Sequence, residues 1–516
     1  MAASNAKRGP SPKGRESRSR DEFISRTFDR PYGAFLGYVG VVLFLFCPDR
    51  DRLPAALASM GAYIAVHLLL RANRFQTRTP ICPANFAQVL FFNQLVLMPL
   101  VDVFFGFDQG TLPYLPTDSA INQALLYNTV AFLAFAIAYQ YWDTRLRRKT
   151  STTAPYTGHS LLSLRTTYLI AGVFGVIGVF GFIFFFGSLS GYLSYLSRSP
   201  VAEVPGSGSL TRVLSSTLRP FLGFIVVILW SAWISRDRYA RSPLRCILVS
   251  LGALVFLMAA NLSFNRGGIV APAIAFLAAF SFRVRRIPMS LILSFALPVG
   301  FLLILFGTYR HQILQYPGQP GQGPAIGTLA AQTNVKTVVE LYGAAPQFLG
   351  YLLETTGYSV DGTWGYSVLS SILSPLPRLG APFRSDSTLT HYNVLIYGPT
   401  GDLDQIVPFV GELFWSYQVV GVILGFFALG LIAAKLQRNF DLAISPLSAY
   451  VWVWISYWVL FLVQDSSAVI SQQFIYVFWP VYAWCAIEFI RRRRSADERA
   501  AKARPGFESM SRLPNW

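Results

Sequence analysis

Ile406-Val-Pro-Phe-Val-Gly-Glu-Leu-Phe-Trp-Ser-Tyr-Gln-Val-Val-Gly421 opens an apolar run that continues to about residue 434 and carries a single carboxylate, Glu412. A run of this length is a candidate membrane span, and an acid within one is costly enough to be a functional candidate by default. On this reading Glu412 lies about two helical turns inside the span. The hydrophilic stretch that leads into it occupies 309–405, whereas the other connectors are short. Inserts of that length usually carry a function, and this one reads as a lid and substrate platform. Its Gly/Pro-rich start, 315–327, reads as a hinge. From about Gly327 to Leu353 the pattern turns helical and amphipathic, with Lys336 and Glu340 one turn apart.

Composition sets the class. With 53% hydrophobic, 15% aromatic and only 13% charged residues among 516, the chain reads as an all-α, polytopic helical membrane protein. Apolar segments fall at 32–47, 53–70, 84–105, 121–142, 166–187, 212–234, 244–262, 268–283, 288–308, 406–434, 446–464 and 470–490, which predicts about twelve spans. The expected organisation is a basic tail over 1–30, a transmembrane domain over 31–490 with the 309–405 loop inserted in it, and a second basic tail over 491–516. The first thirty residues contain no apolar stretch, so no cleavable signal peptide is expected.

A net charge of +18 would suggest nucleic acid in a soluble chain. Here the basic residues sit mainly in connectors and tails, where they set topology, and nucleic-acid binding is set aside. Sorting the connectors alternately to two sides places most of the 43 Lys and Arg with the N-terminal tail. Both termini are therefore expected in the cytoplasm and the long loop outside it, with the tails touching anionic lipid. Cys47, Cys82, Cys246 and Cys485 have no CxxC spacing and read as packing residues. Asp402 and Asp404 follow Gly-Pro-Thr-Gly and read as a turn rather than a metal pair.

The basic residues on the other side need a reason, because the topological bias works against them. Arg50 and Arg52 have one in their neighbours Asp49 and Asp51. The rest are Arg198, Arg212, Arg219, Arg266, Arg310, Lys336, Arg378 and Arg384. Arg212 and Arg219 lie two turns apart on one helix face, roughly 10 Å. Arg266 stands in a glycine-rich hairpin, and Arg310 ends a span beside His311. Guanidinium groups fork onto phosphate oxygens and stay charged when partly desolvated, so the set suits a lipid-linked pyrophosphate. Any one of them serves equally well as a carboxylate partner, a snorkelling side chain or a helix cap. A hydroxyl attacking beside such a phosphate needs a base: Glu412 comes first, then His391 and His311. Asn93, Gln94, Asp102, Gln464, Asp465 and His67 are expected to hydrogen-bond between helices. The loop aromatics Tyr358, Trp364, Tyr366, Tyr392 and Tyr397 suit sugar faces, and still more an interfacial anchor.

Three stretches carry a resemblance to the O-antigen polymerase, or oligosaccharide repeat-unit polymerase, family. They are Ser188-Leu-Ser-Gly-Tyr-Leu-Ser-Tyr-Leu-Ser-Arg198, then Asn265-Arg266-Gly267-Gly268, and the region from Gly362 to Gly430 with Pro375-Leu-Pro-Arg378, Gly411-Glu412, Gly421 and Gly430. The likeness covers roughly 165–440. The chain departs from it at Ser416-Tyr-Gln418, where an Asn-Phe-Gly-like run is usual, and at Gln464-Asp465, where an arginine is expected. The resemblance implies a glycosyltransferase of the inner membrane that needs no metal and no cofactor. Such an enzyme moves a growing glycan from undecaprenyl pyrophosphate onto a new lipid-linked repeat unit at the periplasmic face, alongside other polysaccharide export and chain-length components. Arg266, Arg310, Arg378, Arg219, Arg212, Arg384 and Arg198 are its candidate phosphate contacts. A ligase that passes a finished glycan to another acceptor, or a flippase for lipid-linked sugars, are the alternatives.

Overall fold

In the computed structural model the described residues are 52–72, 81–106, 112–150, 164–188, 191, 209–235, 242–261, 266–285, 287, 343–356, 363–377, 379–398, 407–443 and 445–503. Among them every regular element is helical. In chain order these are α1 (Leu53–Ala72), α2 (Pro83–Phe105), α3 (Asp118–Thr150), α4 (Leu164–Phe186), α5 (Ser209–Leu218), α6 (Pro220–Ile234), α7 (Pro243–Ala260) and α8 (Arg266–Arg283). The insert contributes α9 (Ala345–Thr355), α10 (Tyr366–Leu373), α11 (Ala381–Arg384) and α12 (Thr388–Tyr397). The chain then runs through α13 (Phe409–Asp441), α14 (Pro446–Phe461), α15 (Ser467–Tyr476) and α16 (Trp479–Ala503).

Local chemistry accounts for many of the starts. Pro83, Pro220, Pro243 and Pro446 stand in the first turns of their helices, where the missing N–H has no partner to lose. Ser387, Ser445 and Ser466 cap α12, α14 and α15 by accepting a backbone N–H of the first turn.

Among the described residues five helices are long and apolar enough to cross a membrane: α2, α3, α4, α13 and the stretch Ser216–Ile234 that joins α5 to α6. The pair α15 and α16 makes a sixth if its 59° bend lies within one span. The apolar parts of α1, α7, α8 and α14 are shorter. Each expected span thus coincides with a helix or a helix pair, except 32–47 and 288–308, which lie outside the described residues. The outward faces of α4 and α7 carry Val176, Phe180, Phe184, Leu248, Leu251 and Phe256 exposed. Helices that show solvent their apolar side are fitted to lipid rather than water.

Long apolar runs hide breaks that hydropathy does not register. The 84–105 segment contains a π-helical turn at Asn93–Leu97. In α13, Tyr417 and Gln418 leave helical geometry (φ −142°, ψ 15° and φ 53°, ψ −144°) before the helix resumes.

The scaffold is built on α3 and α13, which pack along each other; a Cβ on Gly430 of α13 would meet the Phe135 carbonyl oxygen of α3 at 2.3 Å. Phe224, Trp454 and Phe478 stack in sequence and bind α6 and α14 to the start of α16. Polar contacts gather at two groups of helix ends. At one, the Ala84 N–H donates to Gln437 Oε1 at 3.0 Å and the Leu447 N–H to Ser231 Oγ at 3.0 Å. At the other, Arg52 donates to Asp102 Oδ1 at 2.9 Å and to Asp118, while Gln347 Nε2 donates to Asp102 Oδ2 at 3.2 Å. This cluster joins the starts of α1 and α3, the end of α2 and the insert helix α9. The described partners of Arg52 are therefore acids distant in sequence; Asp49 and Asp51 lie outside the described residues.

The first described helix of the insert is accordingly docked on the bundle. Leu349, Leu352 and Leu353 of α9 are fully buried, and α9 packs on α3. The hinge at 315–327 and the Lys336–Glu340 pair lie outside the described residues.

Candidate functional site

Three insert helices and two bundle helices converge at the start of α13. Because α13 begins at Phe409, Glu412 falls in its first turn and not two turns within it. Burial is supplied by protein instead: Glu412 is 0% exposed, walled by α10, α13 and α15. Its Oε2 accepts the Ser467 N–H at 2.9 Å. That amide is the first of α15, so the carboxylate sits at the positive end of one helix while belonging to the positive end of another.

The rest of the lining is hydroxyl. Ser371 of α10 accepts the Thr388 N–H at 3.0 Å, which leaves its own O–H available within electrostatic reach of Glu412; Asp465 acts on the same carboxylate by charge. Ser367 and Ser416 share a hydrogen bond at 3.0 Å, and Thr363 joins Ser367 at 2.7 Å. Asp465 itself accepts the Ser466 N–H at 2.7 Å. Glu412 Oε1, Ser370 Oγ, Thr388 Oγ1 and Ser467 Oγ are all buried with no hydrogen-bond partner among the described residues. Buried polar atoms are nearly always satisfied, and with the Ser371 and Ser467 hydroxyls within reach of the carboxylate these oxygens form a polar junction with hydrogen-bonding capacity to spare.

No ion pair involves Glu412 among the described residues. A carboxylate anchored through one oxygen by a fixed amide and open at the other can accept a proton or hydrogen bond from a ligand hydroxyl. Above it, a cavity of about 370 Å³ is lined by Ser374, Arg384, Ser387, Thr390, Gln472 and Tyr476, among others. The segments Ser387–Thr388 and Ser467–Val469 border both this cavity and the Glu412 junction.

Of the residues singled out from sequence, Glu412, His391 and Arg384 share this corner of the fold. The His391 ring of α12 lies 6.1 Å from that of Trp415, one turn beyond Glu412. Arg384 donates from Nε to the Ser374 carbonyl at 3.3 Å and is otherwise exposed to the cavity. Arg219 stands between α5 and α6 with its guanidinium 6.0 Å above the Phe186 ring. Arg212 lies in α5 and Arg266 opens α8; their side chains are outside the described set. His311, Arg310, Arg378 and Arg198, together with Asp402 and Asp404, also lie outside the described residues.

Reading the sequence for acids and arginines misses the serines. Their one signal is spacing: Ser367, Ser370, Ser371 and Ser374 follow the i, i+3, i+4, i+7 rhythm of a single helix face. Gln464 and Asp465 read from sequence as interhelical hydrogen-bonders at a place where the resemblance expects an arginine. Asp465 instead places a second buried acid beside the α15 N-terminus.

The break at Tyr417–Gln418 braces the site. Tyr417 Oη donates to the Trp364 carbonyl at 2.5 Å, and Gly365 (φ 83°) lies so near the Tyr417 hydroxyl that a Cβ there would be 2.2 Å from it. Gln418 takes a positive φ that glycine tolerates best.

Fold and site together define an all-helical protein with apolar helices of membrane-spanning length and a buried acid–hydroxyl junction at one end. Comparison with known protein families, curated proteins and solved structures finds no match to this chain.

Proposed function

We propose that this protein is a membrane glycosyltransferase that polymerises undecaprenyl-pyrophosphate-linked oligosaccharide repeat units on the periplasmic face of the inner membrane. In this reading the chain crosses the membrane about twelve times, both termini are cytoplasmic and the 309–405 insert is periplasmic. The observation that carries it is Glu412: buried, free of any described cation partner, and open at Oε1 beneath the insert.

The chemistry follows from that position. The acceptor sugar's hydroxyl oxygen bonds to the anomeric carbon of the donor glycan as the bond from that carbon to the pyrophosphate oxygen breaks. Glu412 takes the hydroxyl proton, and the lipid pyrophosphate leaves with the bonding electron pair. Arg384, at the cavity above, and Arg219, Arg212 and Arg266, at helix ends on the insert's side, provide positive charge for that leaving group. His391 is the second candidate for the proton. No metal is called on, because cationic side chains serve the role a divalent ion would otherwise fill.

Purified protein incubated with a synthetic polyprenyl-pyrophosphate repeat unit, with and without chelator, tests the reading. A ladder of products that survives chelation is expected. Transfer only to a different acceptor identifies a ligase, and lipid translocation without transfer identifies a flippase; either result overturns the proposal.

A further inference from the structure

A helix bathed in water hides its apolar side; α10 does the reverse. Its buried residues are Ser367, Ser370 and Ser371, which face the Glu412 junction, and its outward residues are Tyr366, Leu369 and Ile372. Flanking it, Trp364 is 84% exposed and Leu379 73%. An inverted pattern of this kind suits a helix whose outside is lipid and whose inside is a polar site.

The face continues onto a membrane-spanning surface. Trp364 meets Tyr417 edge to face, 6.5 Å between ring centroids, in addition to the hydrogen bond between them. Tyr417 heads an exposed stripe on α13 formed with Val420, Ile423, Leu424 and Phe427. Depth agrees as well. From Tyr417 to Lys435, the first basic residue along α13, is 18 residues, roughly 27 Å of helix against about 30 Å of bilayer hydrocarbon. Trp364 and Tyr417 therefore lie at the hydrocarbon boundary, where Trp and Tyr rings are favoured.

We infer that α10, with Trp364 and Leu379, is seated in the phospholipid bilayer on the insert's side of the membrane. Its serine face is then the wall that separates the Glu412 junction from the lipid. The inference depends on α13 crossing the membrane and not on the transferase reading, so the two fail separately.

The test is fluorescence quenching of the full-length protein in phosphatidylcholine nanodiscs. A bilayer-sensitive fluorophore is placed at Leu369→Cys, Ile372→Cys or Leu379→Cys, in a background with the 4 native cysteines replaced. Leu424→Cys serves as the lipid control and Asp386→Cys as the aqueous control. Lipid carrying a quencher near the headgroup is expected to halve emission at 369, 372 and 379 or better, with little effect of iodide, while 386 responds to iodide alone. Quenching by iodide in place of lipid overturns the inference. Protection from both quenchers overturns it too, since the face is then covered by protein. Three independent positions keep the test decisive if one variant folds poorly.

Discussion

Asp102 and Glu412 are both buried carboxylates at insert-facing ends of the bundle, yet they are finished differently. Asp102 has Arg52 on one oxygen and Gln347 on the other, and Arg52 is shared with Asp118. Glu412 has one amide on one oxygen and, on the other, no hydrogen-bond partner among the described residues, with only the Ser371 and Ser467 hydroxyls nearby. A closed set of partners locks elements together; an open one leaves a group free to react. On the proposed reading the contrast separates a fastener from a tool, although both look alike in a hydropathy plot.

The comparison can be broken in several ways. The largest effect is expected at the fastener: Asp102→Ala leaves Arg52 short of a partner in a largely buried site and should cost about 3 kcal/mol, read as earlier thermal unfolding in detergent. Replacing both members, Arg52→Met with Asp102→Leu, should recover much of that loss. Glu412→Gln keeps the shape and should leave unfolding nearly unchanged while lowering glycan transfer about 100-fold or more, the scale of a lost general base. A variant that unfolded early and still transferred normally per folded molecule would make Glu412 another fastener.

Ser467→Pro sharpens the point. Ser467 is the first residue of α15, a position where proline is welcome, and Ser466 before it is already extended, as a residue preceding proline must be. The substitution removes the amide that orients Glu412 while sparing the helix. Transfer is expected to fall about 10-fold, whereas Ser467→Ala, which keeps the amide, should fall less. The smallest effect is expected at Gln418→Gly, which relieves a positive φ and should stabilise the protein by about 1 kcal/mol in a thermal melt, with transfer retained.

The sequence was informative where composition alone decides. The apolar runs of α3 and α13 mark helices because little else buries so many backbone polar groups, and Glu412 stands out as an acid in such a run. It was silent where the decision is tertiary. The π turn at Asn93–Leu97 and the departure at Tyr417–Gln418 lie inside unbroken hydropathy, and the contacts that hold them, such as Gln94 to the Val463 carbonyl and Tyr417 to the Trp364 carbonyl, come from distant parts of the chain. That Arg52 reaches Asp102 and Asp118 was not legible, because their approach depends on three helices meeting. The serines of α10 carried a helical rhythm, but serine is common on every kind of helix face, and only the neighbours show that this face points inward.

The interruption at Tyr417–Gln418 has one more consequence. Long apolar helices answer thicker or thinner bilayers by tilting. A rod broken between its lipid-clad shaft and its first turn absorbs that tilt at the joint, so the acid keeps its register with α15 while the shaft leans. If the proposed transfer reaction is right, its rate should therefore vary little between short-chain and long-chain lipids.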